Sequence, residues 1–201
     1  MIWPKVREVK EALTSFFTKP YTTKFPAGTY TGDEGFRGFP AYNEKDCIGC
    51  GACVQVCPST AIEIKDDPVT KIRRLTVDYF SCTNCGQCQE KCTTETGIEN
   101  KSELYSFSSP DKNDKAHFES IEKELVLCET CGAVIGPRAQ LLYIKRQLGA
   151  KAFSHPNFLI ETQRQFLDVG KSNVKEILRR EDYIKEVCPK CRQKIVVKDE
   201  F

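Results

Sequence analysis

Eight cysteines in the first half of the chain share one repeated spacing. The pattern C-x2-C-x2-C-x3-C begins at Cys47 and recurs 35 positions later at Cys82. This spacing is typical of thiolate ligands to 4Fe-4S clusters, and where two such runs occur the fourth cysteine of each serves the other cluster. The pattern therefore predicts two clusters. The first is bound by Cys47, Cys50, Cys53 and Cys92, and the second by Cys82, Cys85, Cys88 and Cys57.

Two other interpretations of these cysteines are a disulfide scaffold and a set of zinc fingers. A disulfide scaffold needs an oxidising compartment. The N-terminal residues show no export signal, which would consist of a charged region, an apolar stretch and a cleavage site. Zinc fingers use paired cysteines, whereas each run here contains three intervals of two, two and three residues. Small residues such as Gly51 and Gly86 allow backbone N–H groups to approach cluster sulfurs, which favours the cluster interpretation.

A further four cysteines occur as two C-x2-C pairs in the second half of the chain. They are Cys128, Cys131, Cys188 and Cys191. Four thiolates in two such pairs suit a closed tetrahedral site for structural zinc, or for rubredoxin-like iron, and zinc is favoured. The segment 132–187 between the pairs is longer than a usual zinc-ribbon insertion, so the spacing leaves open whether the four cysteines share one metal.

Length and composition limit the function classes. The chain has 201 residues, 40% of them hydrophobic, and a formal net charge of +2. That length is enough for one or two domains. Basic and acidic residues are nearly equal in number, whereas a nucleic-acid-binding protein usually has a clear excess of basic residues. No apolar stretch approaches the roughly 20 residues needed to span a bilayer.

The N-terminal 40 residues are predicted to form a helix followed by an extended arm. Apolar residues recur at helical spacing from Val6 to Phe17 between basic residues, and Pro20 closes the helix. Such an amphipathic helix suits a membrane surface or a partner's groove, or it packs on its own domain. The Gly-, Pro- and Thr-rich segment 21–40 has no periodicity, so we expect it to lie along a neighbouring subunit.

Residues 41–107 are predicted to be the cluster domain. Short strands are expected at residues 62–64 and 72–77, joined by a turn at Asp66, Asp67 and Pro68. Each cysteine run is expected to contain one short helix, near 52–56 in the first run and near 87–91 in the second. Because about 60 residues bury little apolar surface, the clusters should form part of the core. The expected apolar shell is Ile48, Val54, Val56, Ile62, Ile64, Val77, Phe80 and Ile98.

The remainder divides into a linker at 108–124 and a helical four-cysteine metal domain at 125–201. Polar and turn-forming residues at 108–115 indicate the boundary. One helix is predicted from Pro137 to a Gly149 cap, and a second after an Asn173 cap. His117 and His155 fit no ligand pattern and are expected to be ordinary surface or capping residues. The sequence shows no phosphate-binding loop and no nucleophilic triad, so we expect no catalytic residues.

Residues 41–100, above all the stretch DCIGCGACVQVCP, resemble bacterial-type eight-iron ferredoxins. The N-terminal helix, the KPYTTKFP arm and the FRGFP run before Cys47 are similar to the two-cluster subunit of respiratory complex I. They are also similar to its counterparts in membrane-bound nickel-iron hydrogenases, formate hydrogenlyases and sulfane reductases. Thr93 departs from the family pattern, in which proline follows the fourth cysteine. A C-terminal extension with paired cysteines resembles the hydrogenase-type subunits, whereas complex I subunits generally lack it.

The resemblance implies an α+β two-cluster ferredoxin fold with an N-terminal arm and a helical, zinc-ribbon-like C-terminal domain. It also implies an electron-transfer subunit of a membrane-associated oxidoreductase, peripheral on the cytoplasmic side. The expected partners are the subunit carrying the next cluster and a soluble ferredoxin or other redox donor, with no nucleic acid. The alternatives are a free soluble ferredoxin-like carrier with a zinc module, and a zinc-ribbon nucleic-acid binder with redox-sensing clusters.

Overall fold

The computed structural model describes residues 5–19, 35–102, 115–166 and 185–198. The helices are α1 (Val6–Phe17), α2 (Ala52–Val56), α3 (Gln87–Glu90), α4 (Arg138–Leu148), α5 (Pro156–Phe166) and α6 (Pro189–Gln193). The strands are β1 (Phe39–Tyr42), β2 (Ile62–Asp67), β3 (Ile72–Asp78), β4 (Ile98–Lys101), β5 (Phe118–Leu127) and β6 (Val134–Pro137). The 3₁₀ turns Lys115–His117 and Gly149–Ser154 and a π-helical turn at Lys194–Lys198 complete the described elements.

The cysteine repeat is also a repeat of the backbone. A left-handed glycine begins each short helix: Gly51, with φ of 79°, precedes α2, and Gly86, with φ of 78°, precedes α3. Gly49 and Asn84 are likewise both left-handed, with φ of 69° and 53°. Glycine adopts this conformation without the steric cost that a Cβ imposes, so these positions let each loop turn sharply around its cysteines. Both predicted helices are thus confirmed.

Two antiparallel strand pairs flank the cysteine loops and complete the pseudo-twofold arrangement. In one pair β1 lies against β4, with Tyr42 opposite Ile98; in the other β2 lies against β3, with Ile62 opposite Val77. The predicted strands at 62–64 and 72–77 are confirmed. The turn between them is formed by residues 68–71 rather than by the two aspartates, which belong to β2.

The core of this unit lies between the sheets and the cysteine loops. Its most deeply buried side chains are Leu75, Val77 and Ile98. Of the expected apolar shell, Ile62, Val77 and Ile98 are buried, whereas Ile48, Val54 and Val56 are half-buried. Ile64 and Phe80 are exposed, by 37% and 41%, so their assignment to the shell was wrong. Ile64 lies in β2, where only Ile62 is buried.

The strand β5 joins the two halves of the chain. It pairs with β3 along its first half, with Ile121 opposite Leu75, and with β6 along its second half. Residues 118–124, expected to be linker, therefore belong to the four-stranded sheet β2-β3-β5-β6. Their charged residues conceal the strand in the sequence, because only Ile121, Leu125 and Val126 of β5 are buried. The rest of the expected hinge, residues 108–114, lies outside the described residues.

The described C-terminal module consists of the two cysteine pairs, β6 and the helices α4, α5 and α6. Helix α4 has Pro137 as its N-cap and Gly149 as its C-cap, as predicted. The predicted helix after Asn173 lies outside the described residues. Helix α5, which the sequence analysis did not identify, packs against α4 and begins at Pro156, a favourable first helical residue.

Helix α1 is confirmed, and it buries none of its residues. Its apolar residues are strongly exposed, from 44% at Val9 to 86% at Val6. The predicted arm lies mostly in residues 20–34, outside the described residues. None of the helices in the described part of the chain is long and apolar enough to cross a bilayer.

Candidate cluster and metal centres

The structure gathers the eight N-terminal cysteines around two cavities. The first, here called site 1, has about 310 Å³ of space between the protein atoms, and the second, site 2, has about 340 Å³, part of each being open to solvent. Three cysteines at each site come from one run and the fourth from the other. Site 1 is lined by Cys47, Cys50, Cys53 and Cys92. Site 2 is lined by Cys82, Cys85, Cys88 and Cys57.

The exchange of fourth cysteines follows from the short helices. Cys57 is the C-cap of α2, with extended backbone angles that direct the chain away from its own loop. Cys92 lies just after α3 in the same position of the repeat. Because α2 and α3 pack against each other, each helix end lies beside the cavity of the other loop.

Arginine side chains anchor both loops through equivalent carbonyl groups. Arg73 donates to the carbonyl oxygen of Gly49 at 3.0 Å, and Arg37 donates to that of Asn84 at 3.3 Å. Arg37 also donates to the carbonyl oxygen of Cys85 at 2.5 Å. Arg73 is itself neutralised by Asp66, at 2.6 Å, in a partly exposed ion pair. These contacts tie both cysteine loops to arginine side chains from elsewhere in the chain.

Several polar groups approach the cysteine sulfurs. At site 2 the N–H of Ala61 donates to the sulfur of Cys57 at 3.3 Å, with the Ser59 hydroxyl at 3.7 Å. At site 1 the Thr93 hydroxyl lies 3.3 Å from Cys50 Sγ, and the Thr94 hydroxyl 3.5 Å from Cys92 Sγ. Such donors stabilise negative charge on sulfur.

Burial disfavours isolated thiolates at both sites. It raises the pKa of Cys53 to about 12 and the pKa of Cys88 to about 11. Burial also raises the pKa values of Cys47 and Cys82. One cysteine at each site is buried and the other three are half-buried. Several thiols gathered around one cavity ionise together only beside a compensating positive charge, and iron supplies one. The donor set and its surroundings therefore fit an iron-sulfur cluster at each site.

The four C-terminal cysteines converge differently. The sulfurs of Cys128, Cys131, Cys188 and Cys191 all lie within 4.8 Å of one another. No second group this tight occurs among the described residues, and the eight N-terminal sulfurs surround cavities instead. Sulfurs in mutual contact suit one tetrahedral ion, whereas a cubane occupies the space between its ligands. The prediction that these four cysteines form one metal site is supported, despite the long insertion.

Each C-terminal pair is built as a tight turn. The first lies between β5 and β6, where the Cys128 carbonyl accepts from the N–H of Gly132 at 2.8 Å. The second begins α6, with Cys188 as its N-cap and proline next. Burial raises the pKa of Cys128, but N–H donors from Cys188, Cys131 and Thr130 outweigh it and lower the pKa to about 6. A thiolate is therefore available there for a metal.

Helix α5 fastens the two pairs together. Its Asn157 exchanges side-chain hydrogen bonds with the backbone of Val187, at 3.2 and 3.4 Å. Its Arg164 pairs with Glu129 at 2.5 Å and with Glu186. The N–H of Glu129 also donates to the Glu186 carbonyl at 2.9 Å, directly linking the pairs. Sequence spacing gave no indication of these bracing residues, because they are far apart along the chain.

The two histidines lie away from the candidate ligands. His117 was expected at the surface or at a cap, but it is fully buried, with its ring centroid 4.2 Å from that of Phe80. It is therefore a core residue next to β5. His155 lies 3.1 Å from Arg192 and stacks on Phe158. Burial and the Arg192 charge lower the pKa of His155.

Comparison with known proteins agrees with this arrangement. Residues 46–96 match the model of the 4Fe-4S dicluster domain. The chain is 31% identical over 103 residues to NADH-quinone oxidoreductase subunit I 2 of Geobacter metallireducens, a match spanning 47% of this chain and 79% of that protein.

Two further relatives extend the comparison. The chain is 28% identical over 133 residues to NAD(P)H-quinone oxidoreductase subunit I of Gloeobacter violaceus, across 64% of this chain and 63% of that protein. It is 43% identical over 49 residues to formate hydrogenlyase subunit 6 of Escherichia coli, across 24% of this chain and 27% of that protein. The matches to these two proteins thus leave more than a third of each relative uncovered.

Proposed function

Because the chain belongs to the family of 4Fe-4S dicluster proteins that includes NADH-quinone oxidoreductase subunit I, we propose that it is an electron-transfer subunit. In this proposal it relays electrons through two 4Fe-4S clusters within a membrane-associated, hydrogenase-like or complex I-like oxidoreductase. The observation that carries the proposal is the pair of cavities, each lined by three cysteines of one run and one of the other.

The cluster ligands in this proposal are the cysteines that line each cavity. Site 1 uses Cys47, Cys50, Cys53 and Cys92, and site 2 uses Cys82, Cys85, Cys88 and Cys57. When bound, each cluster supplies one-electron transfer. The chain's own residues hold the two sites next to each other through the packed helices α2 and α3 and exclude water with Leu75 and Ile98. No catalytic residue is assigned.

The C-terminal four-cysteine site is proposed to hold structural zinc. Its four thiols leave no open position for a substrate, which is the pattern of closed structural sites. Three of the four cysteines are buried. We therefore assign it a role in stability, with no part in the electron path.

The partner surface is proposed to include α1. A helix that buries none of its residues while exposing Phe16 and Phe17 by 82% and 81% leaves its apolar face available for another subunit or a membrane surface. In this proposal the chain is peripheral on the cytoplasmic side of the membrane. Its partners are the subunit carrying the next cluster and a redox donor such as a soluble ferredoxin.

The test combines metal analysis with isolation of the native assembly. The tagged chain is purified without oxygen from its own cells, and iron, zinc and co-purifying subunits are quantified. The proposal expects about eight iron atoms and one zinc per chain, following the two cubanes and one closed site. It also expects elution in a large particle. Elution as a free 22.8 kDa protein would instead support the soluble carrier. A single cluster would refute the relay.

A further inference from the structure

Site 1 carries two hydroxyl groups that site 2 lacks. Because the cysteine runs repeat with a displacement of 35 residues, most positions of one site have a counterpart at the other. Thr93 corresponds to Pro58, and Tyr42 corresponds to Val77. In both comparisons a residue with a hydroxyl at site 1 replaces a residue without a polar side chain at site 2. Neither hydroxyl is needed to bind a cluster, because site 2 has the same cysteine spacing without them.

The Thr93 hydroxyl contacts a candidate ligand directly. Its oxygen lies 3.3 Å from the sulfur of Cys50. The backbone of Thr93 is fixed from the other side, since the Tyr143 hydroxyl of α4 donates to its carbonyl oxygen at 3.1 Å. A cysteine sulfur bound to iron is a thiolate and can only accept, so the threonine must be the donor in the loaded protein. Proline at this position, as at Pro58, cannot make the contact.

The Tyr42 hydroxyl is buried against the same site. Its side chain lines the site 1 cavity together with Cys53 and Cys47. Its oxygen is inaccessible to solvent and has no hydrogen-bond partner among the described residues. The backbone is held in β1 opposite Ile98, and its N–H donates to Glu119 at 2.8 Å. A buried hydroxyl without a partner is costly, and a thiolate of a bound cluster would satisfy it.

Some of the other polar groups at the two sites match and others do not. The Thr94 hydroxyl beside Cys92 has its counterpart in the Ser59 hydroxyl beside Cys57, at 3.5 and 3.7 Å. Site 2 has in addition a backbone donor, the N–H of Ala61, 3.3 Å from Cys57 Sγ. Site 2 also has polar side chains of its own, since Thr83 and Asn84 line it where site 1 has Ile48 and Gly49, and Asn84 Oδ1 lies 3.5 Å from Cys82 Sγ.

Each site has at least one positively charged side chain nearby. At site 1 Arg73 is neutralised by Asp66, which leaves Lys123, whose charge acts on Cys47 to lower its pKa against burial. At site 2 the corresponding charge is Arg37, which contacts the carbonyl oxygen of Cys85. The hydroxyls of Thr93 and Tyr42 are therefore side-chain differences between two sites that each have a cation nearby.

We propose that Thr93 and Tyr42 tune site 1, by donating hydrogen bonds to the thiolates of Cys50 and Cys53 and so raising the reduction potential of the cluster held there. Reduction adds one negative charge to a cluster, and donors to its sulfurs stabilise the more negative state. Both are positioning residues, since neither is a ligand. The inference rests on the proposed function, because it requires clusters at both sites.

The test is a redox titration of the reconstituted full-length protein, followed by electron paramagnetic resonance. The variants are T93V and Y42F, with T93S as the conservative rescue. T70V is the control, because the Thr70 hydroxyl bonds to Asp67 in an exposed turn rather than to a sulfur. Each of T93V and Y42F should lower the same one of the two potentials and leave the other unchanged. T93S and T70V should match the parent protein.

The buried hydroxyl should have the larger effect. A shift of up to about tenfold in the reduction equilibrium, or about 59 mV for one electron, is expected for Y42F, and a smaller shift for the exposed Thr93. Phenylalanine differs from tyrosine by one oxygen, so Y42F should fold as the parent does. Unchanged potentials in both variants, or shifts in different signals, overturn the inference. A parent protein with fewer than two clusters refutes the proposed function instead.

Discussion

The dicluster unit and the C-terminal module both gather cysteines, but they do so in opposite ways. In the first, ligands lie two or three residues apart on left-handed glycine loops, and local geometry surrounds each cavity with three of its four thiols. In the second, pairs separated by 57 residues are brought within 4.8 Å by α5 and its ion pairs. Short spacing thus specifies a cluster site locally, whereas the two distant pairs depend on contacts made by α5 to come together.

The largest expected effect tests the exchange of ligands within the dicluster unit. C57S should remove the cluster of Cys82, Cys85 and Cys88 while that of Cys47, Cys50 and Cys53 persists, because Cys57 lines site 2. Iron content should fall by about half, from two cubanes to one. Metal analysis with paramagnetic resonance measures this. Loss of the other cluster would show that each run binds its own four ligands.

A second substitution tests whether the C-terminal module is separate from the clusters. C128S should abolish tight zinc binding and unfold the module, with a loss on the order of 10 kcal/mol of metal-binding free energy. Both cluster signals should persist, because no cysteine is shared between the two regions. Zinc analysis and hydrogen exchange of residues 128–166 provide the measurement. Simultaneous loss of the clusters would mean that the regions fold as one unit.

The role of tertiary bracing is tested at Arg164. R164A should destabilise the C-terminal module by about 2 kcal/mol, since the buried carboxyl group of Glu186, whose pKa burial and Glu161 raise to about 8, loses its hydrogen-bond partner. Thermal unfolding measures the change. R74A is the matched control, because the Arg74–Glu122 pair is 58% and 47% exposed and should contribute less than about 1 kcal/mol. Equal effects from the two variants would contradict a special role for the buried pair.

The smallest effect is expected at α1, which belongs to neither region. Replacing Phe16 and Phe17 by serine should change the free energy of unfolding by less than about 0.5 kcal/mol, because neither side chain is buried. Urea denaturation of the isolated chain measures this. A loss of more than 1 kcal/mol would show that α1 packs on its own chain, contrary to its proposed role in binding a partner.

Much of the dicluster unit was predictable because its signals are local. The cysteine spacing identified the candidate ligands, and the β2–β3 hairpin and the short helices α2 and α3 occur where the sequence placed them. The amphipathic helix α1 and the capped helix α4 were found for the same reason. Each depends on residues within one or two turns of one another.

The candidate cluster ligands and the turns of their loops could be predicted from the amino-acid sequence, because ligand spacing and glycine conformation depend only on neighbouring residues. The folded structure was needed to show that β5 extends the sheet from β3 and that the hydroxyl of Tyr42 is buried at site 1. It also decided that Arg164 joins Glu129 to Glu186. These contacts connect residues that are 22 to 77 positions apart. No local pattern encodes such pairings, since each depends on burial created by the rest of the fold.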